Sequence, residues 1–128
     1  MKAYDIYKKS IALLFEREGE DKAFKDNFCA ILTSVAAEAL PYENSVREAN
    51  GEEKLSKSPE ISNIDDEVAM CDEICTLALP YGVAAHFADD DGESVRSAIF
   101  RERFLTALYS AKKHNFRDVE DFYGGENI

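Results

Sequence analysis

Apolar residues recur at three- and four-residue intervals along most of the chain, which is the pattern of amphipathic helices. The first such segment, 3–17, has five apolar positions on one stripe: Tyr4, Tyr7, Ile11, Leu14 and Phe15. The second, 21–40, begins at a good N-cap residue, Asp21. Its unbroken apolar face consists of Phe24, Phe28, Ile31, Leu32, Val35 and Ala39. Pro41 should end this helix or distort its last turn, because proline pushes the preceding residue out of the helical region.

The helical pattern weakens after Pro41. A short helix is predicted over 44–50, stopped at Gly51, and the positions from 51 to 66 then carry mostly Glu, Lys, Ser and Pro. Loops of this length in a compact domain are usually functional or mobile. We therefore expect this segment to wrap over the surface without tight order, held by Ile61 and Ile64.

A third long apolar segment begins at 67 or 69, ends at 88, and contains Pro80 and Gly82. Since proline lacks a backbone donor and clashes with the preceding turn, this helix should kink or split near Leu79. An acidic turn then leads into a final helix predicted over 93–114. The sequence therefore predicts an all-α fold, a compact bundle of four main helices and a short fifth. A single helical domain, 1–114, would be followed by an extended C-terminal tail, 115–128.

The final predicted helix is apolar on two sides. One side of a helical projection holds Val95, Ala98, Ile99, Leu105 and Tyr109, and the opposite side holds Phe100, Phe104, Leu108 and Ala111. Such a helix is either central in its own bundle or lies between its own core and another molecule. A central position is awkward with only four main helices, so we favour the second arrangement. The residues predicted to contact the partner are Phe100, Phe104 and Leu108, together with Arg101.

The C-terminal tail carries a second candidate contact element. Phe116, Phe122 and Tyr123 are interspersed with acidic residues before two consecutive glycines. Because aromatic residues are enriched at protein interfaces, we predict that these three dock on a neighbouring molecule. The alternative is a tail that folds back onto its own bundle.

Charge narrows the classes of partner. The 128 residues include 26 Asp and Glu against 15 Lys and Arg, a formal net charge of -11. This balance opposes nucleic-acid binding, because affinity for phosphates depends on Lys and Arg. The charge is also uneven, since 94–114 holds five basic residues and one acidic residue, a net +4 that leaves -15 elsewhere. The opposite charges either match within one molecule or steer docking between molecules.

Residues suited to catalysis or metal binding are sparse. Cys71 and Cys75 share a helix face, but a zinc site needs about four ligands, and Cys29, His86 and His114 show no ligand-pair spacing. We expect reduced thiols, buried or half-buried, and structural roles for both histidines. The chain has no Gly-rich phosphate loop, nucleophile elbow or Cys-x-x-Cys pair. The sequence therefore predicts no catalytic residues, no metal and no cofactor.

Several short motifs between Ala3 and Ala111 together resemble one protein family. In chain order they are Asn44-Ser45-Val46-Arg47-Glu48 with Gly51, Pro59-x-Ile61 before Asp65-Asp66-Glu67, Leu79-Pro80-Tyr81-Gly82-Val83-Ala84-Ala85, Asp89-Asp90-Asp91, and Phe100-x-x-Arg103-Phe104-x-x-Ala107. The combination is similar to the small helical head-tail connector, or adaptor, proteins of tailed bacteriophages and prophages. These motifs describe helix packing and not an active site, and the tail after His114 lies outside the resemblance.

The resemblance implies a non-enzymatic structural protein of phage or prophage assembly. About a dozen copies would form a ring between the portal and the tail components, each copy presenting two different faces to its neighbours. The implied partners are other copies of the chain and the portal and tail-completion proteins, without specific nucleic-acid binding. The implied location is the bacterial cytoplasm during assembly and the head-tail junction of the virion. Neither a secretion signal nor a membrane-spanning apolar run is expected from the sequence.

The sequence is also compatible with two other classes of function. A small acidic helical interaction module or regulator of bacterial origin would use its negative surface against a basic partner. A helical enzyme or ligand carrier would use a pocket opened by the distortion at Pro80 and Gly82. A monomer with a deep, polar-lined pocket would favour the enzyme or carrier, and ring formation with a portal would favour the connector.

Overall fold

The computed structural model describes residues 1–14 and 22–124, and for 115–124 it describes the backbone alone. This part of the chain forms five helices: α1 (Ala3–Leu13), α2 (Lys22–Ala49), α3 (Asp72–Leu77), α4 (Leu79–Asp90) and α5 (Ser94–Gly124). Between the helices, the described residues form only one isolated antiparallel bridge, Lys2 to Glu67. The all-α prediction is confirmed. Phe15 and Asp21, assigned above to the ends of the first two helices, lie outside the described residues.

Helix α2 continues past Pro41, so the predicted helix end before the proline and the separate helix over 44–50 are wrong. Proline cannot donate to the carbonyl of Ala37, but both residues are exposed, and water can satisfy that carbonyl. Tertiary contacts hold the part beyond the proline. Val46 is buried, and the buried carboxylate of Glu43 is hydrogen-bonded to the start of α3. Packing therefore preserves a helix that the local rule would terminate.

The third predicted helix is split into α3 and α4 at Ala78, which confirms the expected break near Leu79. Pro80 lies in the first turn of α4, where the missing N–H costs little because first-turn donors have no intrahelical partner. The helical part begins later than predicted, since 67–71 is not helical. Leu77, at the end of α3, is 53% exposed.

The connection after α2 is ordered by side chains of α2, contrary to the expectation of a loose segment over 51–66. The side chain of Asn44 accepts the N–H of Leu55 at 2.8 Å and donates to its carbonyl at 3.1 Å. The hydroxyl of Thr33 accepts the N–H of Ile61 at 3.0 Å. Ile61 itself is buried, as predicted. These side chains supply the partners that loop backbone otherwise takes from water, and this fixes the segment.

The same connection caps α1. The N–H groups of Ala3 and Tyr4 donate to the carbonyls of Asp66, at 2.9 Å, and Ile64, at 2.7 Å. The first turn of a helix has N–H groups without intrahelical partners, and here backbone carbonyls satisfy them in place of a capping side chain. The chain start is therefore fastened to the segment that precedes α3.

Helix α4 lies at the centre of the bundle and packs against all four other helices. Eight of its residues are buried: Leu79, Pro80, Gly82, Val83, Ala84, Ala85, Phe87 and Ala88. The helices approach most closely at Gly82, where a Cβ would lie 2.5 Å from Cγ1 of Val35 and 3.0 Å from the ring of Phe104. The central position considered for the last helix thus belongs to α4.

Helix α5 extends ten residues beyond its predicted end at His114 and reaches Gly124. The tail predicted as extended chain over 115–128 is therefore helical in its first ten positions. No proline or glycine interrupts the sequence between His114 and Gly124, so local propensity allows the helix to continue.

Candidate interaction face on α5

One face of α5 belongs to the chain's own core. Phe104, Leu108 and Ala111 are fully buried, and Phe100 is only 8% exposed. The ring of Phe100 lies 6.2 Å from the ring of Tyr81 on α4. The prediction that Phe100, Phe104 and Leu108 contact a partner is therefore wrong, because α4 and α2 already cover this face.

The opposite face of α5 is exposed in the described part of the chain. Val95 is 74%, Ile99 46%, Leu105 41% and Tyr109 62% exposed. These four residues are called the outer face here. Helix α5 has two apolar faces, as the sequence predicts. The phenylalanine face, predicted to contact a partner, is buried, and the opposite face is exposed. A partner would contact the outer face and not the phenylalanine side.

Arginines border the outer face. Arg101, the fourth predicted interface residue, is 44% exposed and forms an ion pair with Glu38 of α2. The guanidinium of Arg103 lies over the ring of Tyr81, 5.8 Å from its centroid. Arg96 donates to a backbone carbonyl at the end of α1 at 3.2 Å. Arginine and tyrosine beside exposed aliphatic residues is the composition typical of interface hot spots.

Two grooves meet at Ile99 and Arg103. The first has a volume of about 520 Å³ and is lined by Tyr81, Ile99, Glu102, Arg103, Thr106 and Ala107. The second, about 340 Å³, lies between the end of α1 and α5 and is lined by Ala12, Leu13, Arg96, Ile99, Phe100 and Arg103. Because they share two residues, they form one depression beside the outer face, called here the Ile99 groove.

A separate polar cleft of about 310 Å³ lies between α2, α4 and α5, lined by Glu38, Ala85, His86, Asp89, Ser97 and Arg101. Its groups are engaged with one another: Nε2 of His86 lies 3.8 Å from Glu38, and the Ser97 hydroxyl donates to the Ala85 carbonyl at 2.8 Å. A serine nucleophile needs a base within hydrogen-bond reach, whereas the Ser97 hydroxyl donates its hydrogen bond to the backbone carbonyl of Ala85. The cleft therefore joins helices by ion pairing.

A buried carboxylate connects α2 to α3. Glu43, 1% exposed, accepts the N–H of Cys71 at 2.8 and 3.2 Å and lies 3.6 Å from Nε of Arg47. Arg47 donates in turn to the carbonyls of Glu53 and Ala69. Burial raises the pKa of Glu43, and the Cys71 N–H and the guanidinium oppose this rise in part. Sequence reasoning missed this residue, because nothing local distinguishes one acid among 26.

The raised pKa of Glu43 predicts a stability that falls as pH rises. The folded-state pKa lies above the ordinary value of 4.5, so folding favours protonated Glu43. Its contribution is full below the ordinary value and is lost as pH rises through the folded-state pKa. In urea titrations from pH 4.5 upward, the stability of the parent chain relative to Glu43→Gln should decrease. Glu48→Gln, which changes an exposed glutamate on the same helix, is the control variant. A pH-independent difference for Glu43→Gln would contradict the assignment.

The cysteines are free, and they are buried or partly exposed as predicted: Cys75 is buried, and Cys29 and Cys71 are intermediate. Burial raises the pKa of Cys75 to about 12, so its thiol stays protonated at neutral pH. Within the described residues, no group of three or more His, Cys, Asp or Glu is placed to hold a metal ion. The thiols of Cys71 and Cys75 belong to the packing of α3, and Cys29 lies on α2.

The aromatic residues predicted to dock from the tail, Phe116, Phe122 and Tyr123, lie outside the described side chains. The helical backbone of α5 passes through all three positions. The candidate face is therefore built from α5 up to His114, with contributions from α1 and α4.

No protein-family model, curated protein or solved structure matches the chain. In the part that the structure describes, no helix combines the length and the apolar character needed to cross a membrane.

Proposed function

We propose that this chain is a non-enzymatic assembly subunit that binds partner proteins through the outer face of α5. The observation that carries the proposal is the exposure of Val95, Ile99, Leu105 and Tyr109 on one helix. Large apolar side chains exposed together on one face of a helix are typical of a protein interaction site. Covering it would contribute about 25 cal/mol for each Å² of apolar surface removed from water.

The charges around this face favour a protein partner. The segment 94–114 has a net charge of +4, and the remainder of the chain has -15. Complementary potentials steer encounter and fix the register of docking. A helix with arginines beside exposed apolar residues is suited to an acidic partner surface, and other copies of this chain present one.

The more specific proposal is a head-tail connector subunit of phage or prophage assembly. Two of the motifs behind this resemblance, 79–85 and 100–107, lie on α4 and α5. Gly82 allows α4 to approach Val35 and Phe104 closely, while Arg103 lies over the ring of Tyr81. The proposed partners are further copies in a ring and the portal and tail-completion proteins. The proposed location is the bacterial cytoplasm during assembly and then the head-tail junction.

The enzyme or carrier hypothesis placed its pocket at the distortion near Pro80. Pro80 begins α4 without opening space there, because the side chains of Val35 and Phe104 occupy the region beside Gly82. The polar cleft at Glu38 lies elsewhere and is crossed by ion pairs. These contacts favour the assembly subunit over a ligand carrier.

The test is binding of the full chain to purified phage portal protein, followed by electron microscopy and light scattering. The parent chain should add a ring of density to the portal. Ile99→Asp should weaken binding about tenfold or more, because it places a charge in the centre of the contact. Leu77→Asp, also at an exposed leucine but on α3, should bind as the parent chain does.

Two results would count against these proposals. Equal binding by the Ile99→Asp and Leu77→Asp variants would remove the outer face as the contact site. Failure of the parent chain to bind any portal would remove the connector role. If a basic protein bound the chain instead, the acidic interaction module or regulator would become the better account.

A further inference from the structure

The Ile99 groove combines an apolar floor with cationic walls. Ile99, Leu13 and Phe100 supply the apolar part, and Arg96 and Arg103 lie along its sides. Among the described residues, Arg103 takes part in no ion pair, and its guanidinium rests on the ring of Tyr81. A stacked guanidinium keeps its N–H groups available for a carboxylate. The groove therefore fits a segment that carries both aromatic and acidic side chains.

One segment of this same chain has that composition. Positions 115–128 contain three aromatic residues, Phe116, Phe122 and Tyr123, and four acidic residues against one arginine, a net charge of -3. Charge and apolar character therefore both match the Ile99 groove. Aromatic anchors flanked by complementary charges are the usual form of a tight contact between proteins.

The segment cannot reach the groove of its own copy while α5 is continuous. Helix α5 runs unbroken to Gly124. At 1.5 Å per residue, Asp121 is about 27 Å further along the axis than Arg103. The donor must therefore be a second copy.

We infer that segment 115–128 of one copy docks in the Ile99 groove of the next, so that the chain joins head to tail with other copies. This contact deepens the proposed function and rests on it. Each copy gives one segment and offers one groove, which makes the interface heterologous. Such contacts produce a ring where the rotation closes and a filament where it does not.

Mixing two defective full-length variants tests the contact. Arg103→Glu reverses the charge of one of the groove's two arginines, the one whose guanidinium rests on Tyr81. The double variant Phe122→Ser with Tyr123→Ser removes the aromatic anchors. In sedimentation velocity over a wide concentration range, the parent chain should self-associate and each variant alone should be monomeric. The equimolar mixture should form a one-to-one dimer and nothing larger, because it contains one working groove and one working segment.

Lys112→Glu is the matched control, since it makes the same charge change at an exposed position of α5 outside the groove. Arg103→Glu should weaken association about tenfold or more, and Lys112→Glu far less. Arg103→Gln replaces Arg103→Glu if the latter loses its helical circular dichroism. A mixture that stays monomeric, equal effects of the two charge reversals, or a parent chain that never self-associates would overturn the inference. Portal binding would be untouched by these outcomes, so failure here is distinguishable from failure of the proposed function.

Discussion

Replacing Leu108 by alanine is expected to lower the free energy of unfolding by about 2–5 kcal/mol. Leu108 is fully buried between α5 and the rest of the bundle, so the change removes apolar contacts and leaves a cavity. The same replacement at Leu105, 41% exposed on the outer face, should change stability by about 0.5 kcal/mol or less. Urea denaturation followed by circular dichroism measures both values.

Leu105→Ala and Leu108→Ala also test which face of α5 binds a partner. Both variants replace the same residue type on the same helix, so they differ only in the face that is changed. Leu105→Ala should fold as the parent chain does and weaken portal binding. Leu108→Ala should lose stability, and at temperatures where it stays folded it should bind normally. Similar stabilities for the two variants would mean that α5 is rotated from the orientation described, with the phenylalanine side outward.

Gly82→Ala is the second change with a large expected effect. The added methyl group overpacks the core, which lowers the free energy of unfolding by about 1–3 kcal/mol. Alanine's higher helix propensity offsets at most about 1 kcal/mol of this loss. A Cβ at this position would lie 2.5 Å from Cγ1 of Val35, and a buried β-branched side chain on a helix has almost no alternative rotamer. The variant should therefore be less stable by up to about 2 kcal/mol, measured by urea denaturation.

The double variant Gly82→Ala with Val35→Ala is the control for this explanation. Val35→Ala removes the Cγ1 atom that the new Cβ would meet. The loss in the double variant should be smaller than the sum of the two single losses, since residues in contact couple. Strict additivity would show that the glycine matters for another reason, such as backbone geometry, and would contradict the close approach of α2 and α4.

Much of the fold can be predicted from the sequence. Helical periodicity places the helices, and the proline rule places the break before Pro80, because both effects act within one or two turns. The same rule fails at Pro41. The reason is not local: the carbonyl left without a donor faces solvent, and the residues beyond it are held by Val46 and Glu43. Whether a helix tolerates a proline therefore depends on the hydrogen-bond partners and packing around it.

The candidate site was only half predictable. The sequence shows that the last helix has two apolar faces, with Ile99 and Tyr109 opposite Phe104 and Leu108. Periodicity carries no information about which face meets the core, since both satisfy the same helical spacing. In the folded chain the phenylalanine side faces α4, and the ring of Phe104 packs beside Gly82, 3.0 Å from where a Cβ would lie.

Residue order is enough to predict an all-helical protein, a helix break before Pro80, and two apolar faces on α5 within an acidic chain. Only the folded arrangement shows that α4 is central, that Ile99 and its neighbours are the exposed side, and that Glu43 is buried. The difference follows from the range of the interactions. Helix formation and its interruption depend on neighbours a turn away, whereas burial and the raised pKa of an acid depend on residues far apart in sequence.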